Sequence, residues 1–148
     1  MDHRRGPRRG LFALRGIPPG RLARVRRAVH AGVDALDTLK EKYPEALEIL
    51  PLDVGSDDSV RAAAKATAAR CGHVDLLVSC AGISGGDDPE KTRAIYNVNV
   101  AGALRMVEAF LPLMQTGMKR LAFVSSEAGS VSVAHRDSGF AYTTSKTA

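Results

Sequence analysis

Two side chains late in the sequence could perform acid–base chemistry together. Tyr142 and Lys146 stand four residues apart in the run YTTSK, and positions i and i+4 share one face of a helix. An ammonium beside a phenol stabilises the phenolate, which makes the phenol a usable proton donor or acceptor near neutral pH. Because the same spacing also occurs on ordinary helices, the pair alone does not establish a catalytic site.

Apolar runs alternate with helical patterns in the part of the chain that leads to this pair. Short apolar runs predict strands, and apolar residues at every third or fourth position predict helices. Ser56 is a typical residue before a helix, and Gly72 is typical of a helix end. Strands are predicted at 47–54, 74–79 and 120–124, and helices at 57–70, at 88–115 with room for a break, and from 140 onward. This order predicts the α/β class with a doubly wound parallel sheet.

The first 19 residues differ in composition from the rest. They are rich in Arg, Gly and Pro and predict a mostly irregular basic leader, in which residues 11–14 could form a short strand. Apolar positions at helical spacing follow, so a helix is predicted over roughly 20–43, ended by Pro44. The predicted organisation is therefore a leader, 1–19, followed by one folded domain, 20–148.

Positive charge is concentrated in the N-terminal segment. Residues 1–27 contain nine arginines and one acid, a net charge of +8, whereas the remainder carries a net charge of −3. The alternatives are a targeting peptide, a contact with nucleic acid or phosphate, and a solvated leader without a function. The solvated leader is favoured, and nucleic-acid binding is disfavoured because no aromatic platform accompanies the arginines.

The remaining composition narrows the class of protein. No apolar run approaches 18 residues, so no membrane span is predicted. Cys71 and Cys80 are too few for a disulfide framework, and Cys71 with His73 lacks a second ligand pair, so no metal site is predicted. A reducing, cytoplasmic compartment fits best.

Five segments resemble those of the short-chain dehydrogenase/reductase family, in the family's order. They are LDVGSDDSV (52–60), LLVSCAG (76–82), NVNVAGALRMVEAFLPLM (97–114), LAFVSSEAGS (121–130) and AYTTSK (141–146). The resemblance implies a partial Rossmann-type NAD(P)-binding domain over 20–148. It also implies hydride transfer between a nicotinamide and a small carbonyl or alcohol substrate.

The resemblance implies a role for each matching residue. Tyr142 would be the proton donor or acceptor, and Lys146 would support the phenolate and bind the nicotinamide ribose. Ser126, the second serine of VSS, would orient the substrate oxygen. Asn99 would interrupt the long helix and hold a water in a proton relay. Cofactor contacts are implied for Asp53, Val54, Cys80, Ala81, Gly82, Tyr142 and Lys146.

The chain departs from the family pattern in several places. Cys80 stands where the family has Asn, and the 16 residues from Ser126 to Tyr142 exceed the commonest family spacing. The longer loop is similar to that of the carbonyl-reductase-like, C-factor-like branch. The glycine motif TGxxxGxG, which holds the cofactor diphosphate, is absent. The chain is therefore expected to be truncated at both ends, as a fragment or with a wrong N-terminal reading frame.

These departures from the family pattern lower the activity that is expected of this chain. NAD or NADP is the implied cofactor, with NADP slightly favoured, and little or no activity is expected of this chain. Without the family's first two strands, the strand at 47–54 is expected to lack a neighbour. The alternative function is a non-catalytic dimerisation module, since the family's helices that match 98–115 and 142–148 pack between subunits of a homo-oligomer.

Overall fold

A computed structural model of the chain describes residues 11–15, 23–26, 40–132 and 136–148. The strands in these ranges are β1 (Leu11–Arg15), β2 (Ala23–Arg26), β3 (Ile49–Pro51), β4 (Leu76–Ser79) and β5 (Arg120–Phe123). The α-helices are α1 (Asp57–Cys71), α2 (Pro89–Tyr96), α3 (Gly102–Phe110) and α4 (Phe140–Thr147). A π-helix, Asn97–Ala101, joins α2 to α3, and short 3-10 helices cover Leu111–Met114 and Glu127–Gly129.

The elements predicted from residue 47 onward are confirmed, with strands shorter than predicted. Ser56 caps α1 by accepting a hydrogen bond from the Ser59 amide, and Gly72 ends α1 with a positive φ of 71°. The predicted long helix is interrupted by the π-helix around Asn99. The short strand predicted at 11–14 is also confirmed, as β1.

The five strands form one sheet in the order β3-β2-β1-β4-β5. β2 pairs in parallel with β3, and β4 pairs in parallel with β5, whereas β1 is antiparallel to both of its neighbours. The predicted α/β class is confirmed, but the sheet is not wholly parallel, because β1 runs against the other four strands. Only residues 16–22 connect β1 to β2, and a parallel pair needs a crossover of about a dozen residues or more.

Two predictions about the N-terminal half are wrong. The predicted helix over 20–43 fails at Ala23–Arg26, which is β2. Residues 40–42 are helical as predicted, and 27–39 lie outside the described residues. The strand at 47–54 does not lack a neighbour, since β3 pairs with β2 along one side.

A single apolar core unites β4 with the helices that carry the candidate site. Its most buried side chains are Val60, Val74, Leu77, Ile95, Met106 and Phe110. Gly102 starts α3 where a Cβ would lie 2.9 Å from the Val54 side chain, so only glycine lets α3 approach the end of β3 this closely. Within the described residues, none of the helices combines the length and apolarity needed to cross a bilayer.

Candidate active site

Tyr142 and Lys146 both lie on α4, on the face that the i, i+4 spacing predicts. The Lys146 Nζ lies 6.0 Å from the centroid of the Tyr142 ring and donates a hydrogen bond to the Val124 backbone oxygen at 3.0 Å. The two side chains border a cleft of about 240 Å³, called here the Tyr142 cleft. Its other walls are Cys80, Gly82, Ile83, Ser84, Val124 and Ser125. The cleft therefore lies where β4 and β5 end, at the carboxyl edge of these parallel strands.

Asn99 is fixed from three directions inside the π-helix. Its Oδ1 accepts from the Ile83 backbone N–H at 2.8 Å, and its Nδ2 donates to the Ile83 backbone oxygen at 3.0 Å. The same Nδ2 donates to the Ser145 Oγ at 2.8 Å. A π-helix widens the turn around one residue and often occurs at functional sites. Here it turns the Asn99 amide toward the loop after β4 and toward α4.

Ser145 is a site residue that the sequence analysis missed. Its side chain is buried, and the Ser145 Oγ donates to the Tyr142 backbone oxygen at 2.7 Å while it accepts from Asn99. The hydroxyl thus connects the π-helix to the turn of α4 that carries the phenol. A sequence signal existed, because Ser145 stands three residues after Tyr142 and so shares a helix face with it.

The two serines at the end of β5 have different partners. The Ser125 Oγ donates to the Lys146 backbone oxygen at 2.9 Å and borders the Tyr142 cleft. The Ser126 Oγ accepts from the Ala128 amide at 3.2 Å, which caps the short 3-10 helix that follows. Ser126 is not among the residues that border the cleft. The Ser126 O–H group nevertheless remains available as a donor, because in this bond its oxygen is the acceptor.

The small residues after β4 make room for the polar groups of the site. A Cβ at Gly82 would lie 3.3 Å from the Lys146 Nζ and 3.5 Å from the Asn99 Oδ1. Ala81 borders a second, larger cavity of about 520 Å³, together with Asn99 and Lys146. Gly82 is therefore the point where the Tyr142 cleft and the Asn99 amide meet.

Asp53 and Val54 do not border either cavity. They follow β3, which lies three strands from β4 at the same edge of the sheet. The Asp53 Oδ1 accepts from the Gly55 amide at 3.0 Å, and Val54 is buried under Gly102. The structure thus groups Asn99, Tyr142, Lys146 and the residues 80–82, and leaves these two at a separate strand end. Among the described residues, no group of His, Cys, Asp and Glu side chains could hold a metal ion.

Comparison with known proteins gives a consistent family match. A family model described as short chain dehydrogenase matches residues 20–148. The short-chain dehydrogenase anuI of Penicillium roqueforti is 32% identical over 109 residues, which cover 68% of this chain and 43% of that protein. C-signal of Myxococcus xanthus is 37% identical over 84 residues, which cover 52% of this chain and 51% of that protein.

Solved structures give a similar picture. The NADPH-bound carbonyl reductase from chicken fatty liver has a TM-score of 0.73 at 25% identity, over 83% of this chain and 56% of that one. The chain thus spans about half the length of each of these three proteins.

Proposed function

The chain belongs to the short-chain dehydrogenase family, the oxidoreductase family that its sequence resembles, and we propose that its Tyr142 cleft is the site of hydride transfer between NAD(P) and a small carbonyl or alcohol. The single observation that carries this proposal is the common cleft of Tyr142 and Lys146, with Asn99 held beside it across Gly82. A carbonyl reductase-like substrate class is part of the proposal, supported by the likeness to the chicken enzyme.

The residues beside Lys146 fit the nicotinamide end of a dinucleotide. Gly82 leaves space beside Lys146 that a side chain would fill, and Ala81 before it is also small. The Lys146 ammonium can donate to ribose hydroxyls. Cys80 and Val54 would line the path of the cofactor, and Asp53 would accept from the adenine edge. Since β3 and β4 are three strand spacings apart, about 14 Å, the two ends of the cofactor would bind at different strands. NADP is favoured, in line with the NADPH of the chicken enzyme.

Tyr142 would supply the proton in the reduction direction. A nicotinamide held there would supply the hydride for the carbonyl carbon. The Tyr142 hydroxyl would donate its proton to the carbonyl oxygen, so that one hydride and one proton give the alcohol. The Lys146 ammonium would stabilise the phenolate that remains. Ser126 does not border the cleft, but its hydroxyl proton is not used in the bond to Ala128, so the proposal keeps it as a hydrogen-bond donor to the substrate oxygen. Asn99 would hold a water that returns a proton to the phenolate.

Turnover by this chain is proposed to be weak, because the motif TGxxxGxG that would hold the diphosphate is absent. The test is NADPH-dependent reduction of 4-nitrobenzaldehyde, followed at 340 nm, together with NADPH binding followed by fluorescence. Tyr142→Phe should lower kcat by about 100-fold or more and leave the NADPH Kd nearly unchanged. Tyr96→Phe is the matched control, since Tyr96 is exposed on α2 outside the cleft. Equal turnover by Tyr142→Phe and the unaltered chain would contradict the assigned proton donor.

An apolar surface favours a second function, a non-catalytic homo-oligomerisation module. Leu104 on α3 is 61% exposed and Phe123 on β5 is 56% exposed, and both border the larger cavity. Leu111 and Val131 are exposed as well. We propose helices near 98–115 and 142–148 as the contact between copies. Oligomers in size-exclusion chromatography without any NADPH binding would favour this module over the enzyme.

A further inference from the structure

A carboxylate from the loop after β4 reaches across to the start of α4. The Asp87 Oδ2 accepts from the Gly139 amide at 2.8 Å, and the Asp87 Oδ1 accepts from the Ala141 amide at 2.9 Å. The partners are separated by 52 and 54 residues along the chain. One side chain therefore joins the two walls of the Tyr142 cleft, the loop that continues from Ser84 and the helix that carries the phenol.

The residue directly before α4 has no side chain that could cap the helix, in contrast to the residues before α1 and α2. Ser56 caps α1 and Asp88 caps α2, each as the residue directly before its helix. The residue before α4 is Gly139, which has a positive φ of 74° and no side chain, and α4 has no acid in its first turn. The first amides of a helix lack partners within the helix and favour a negative charge. Asp87 supplies both the acceptors and the charge.

We propose that Asp87 is a positioning residue for Tyr142, an inference that rests on the proposed function of the cleft. Tyr142 is the third residue of α4, directly after the Ala141 amide that Asp87 binds. Lys146 lies in the last turn, where the Val124 backbone oxygen and the Ser125 hydroxyl hold it. Loss of the Asp87 carboxylate removes two hydrogen bonds at the start of α4 and so loosens the first turn, although the Ser145 hydroxyl still bonds the Tyr142 backbone oxygen. The last turn stays anchored.

Because only the first turn of α4 loses hydrogen bonds, an effect of Asp87 on the position of Tyr142 can be distinguished from a general loss of stability. A displaced phenol slows proton transfer, since misplacement by about 1 Å can cost about 100-fold in rate. The ribose contact of Lys146 is retained, so nucleotide binding should hardly change. A merely structural loss would instead lower turnover and nucleotide binding together.

The test compares Asp87→Ala and Asp87→Asn with Asp88→Ala in the full chain. Asp88→Ala is the matched control, because it removes a similarly exposed carboxylate cap from the neighbouring position, but from α2. Amide hydrogen exchange read by NMR should accelerate at Ala141 and Tyr142 by about fivefold or more in Asp87→Ala. The kcat should fall by about tenfold or more while the NADPH Kd stays within about twofold. Asp87→Asn, which retains one acceptor oxygen, should lie between Asp87→Ala and the unaltered chain.

Three outcomes would overturn the inference. They are unchanged exchange in α4, faster exchange spread over the whole chain, and a parallel loss of kcat and NADPH affinity. If the unaltered chain shows no turnover, the proposed function fails, and the exchange measurement still decides the role of Asp87: selective acceleration at Ala141 and Tyr142 supports it, and no selective change refutes it. If Asp87→Ala does not fold, the same criteria apply to Asp87→Asn.

Discussion

Replacing Ser145 by alanine should destabilise the chain through a single unpaired N–H group. The Ser145 side chain is buried, with 4% of the residue exposed, and its hydroxyl bonds both Asn99 and the Tyr142 backbone oxygen. In the alanine variant the Asn99 amide keeps its bond to the Ile83 backbone oxygen, but its second N–H loses its acceptor. An unsatisfied buried donor costs about 1–3 kcal/mol, and the better helix propensity of alanine returns about 0.5 kcal/mol.

The expected net loss is therefore about 0.5–2.5 kcal/mol in the free energy of unfolding. Urea denaturation followed by circular dichroism should show this as a lower midpoint, by about 0.25–1.25 M at a slope of about 2 kcal/mol/M. Thr144→Ala is the matched control, because the Thr144 hydroxyl is exposed and bonds only the Phe140 and Ala141 backbone oxygens of its own helix. This variant should change stability by less than about 0.5 kcal/mol.

A double-mutant cycle identifies the donor that loses its partner. In an Asn99→Ala background, Ser145→Ala should cost about 1 kcal/mol less than in the unaltered chain, because no amide remains to be left unpaired. Equal costs for Ser145→Ala in both backgrounds, or equal costs for Ser145→Ala and Thr144→Ala, would refute the reasoning.

Two further predictions concern other parts of the same framework. Gly129→Ala should lower the free energy of unfolding by about 1–3 kcal/mol, because its Cβ would overlap the Lys146 backbone oxygen. Gly85→Ala is the control, since its Cβ would meet a Lys91 side-chain carbon at an ordinary 3.6 Å. Thermal melts that shift equally for both variants would contradict the prediction. The pKa of Asp88 is lowered, mainly by the hydrogen bond from the Lys91 backbone N–H and then by the Lys91 side chain. The contribution of Asp88 to capping α2 is therefore complete above the ordinary pKa of 3.8, and it is lost as the pH falls through the lowered pKa. The Lys91 amide resonance should titrate with a midpoint below 3.8, and a midpoint above that value would show that the cap does not form.

Local sequence patterns predicted the elements around the site because short-range rules control them. The N-cap at Ser56 and the end of α1 at Gly72 follow from capping and from backbone conformations within a few residues. The interruption of the long helix at Asn99 followed from the family resemblance, and the bonds of its amide to Ile83 show what stabilises it. The i, i+4 spacing placed Tyr142 and Lys146 on one cleft.

Contacts between distant segments could not be predicted in this way. Val25 stands at helical spacing from its apolar neighbours, but pairing with Leu50 makes it part of a strand, so tertiary pairing overrides the local pattern. Asp87 and its partners on α4 are more than 50 residues apart in the sequence, and no local sequence pattern predicts such a contact. The catalytic roles of Asn99, Ser126, Tyr142 and Lys146 remain predictions. The cofactor contacts, at Asp53, Val54, residues 80–82, Tyr142 and Lys146, and the 1–19 leader also remain predictions.

The direction of β1 decides where a phosphate-binding loop could be built. Arg15, the last residue of β1, lies opposite Leu76, the first residue of β4, whereas Cys80 and the Tyr142 cleft follow the last residue of β4. A phosphate-binding turn that starts at Arg15 would thus begin roughly 13 Å from the cleft, the length of a four-residue strand, at the opposite edge of the sheet. Engineering tight dinucleotide affinity into this chain therefore requires inverting a strand as well as changing the turn that follows it.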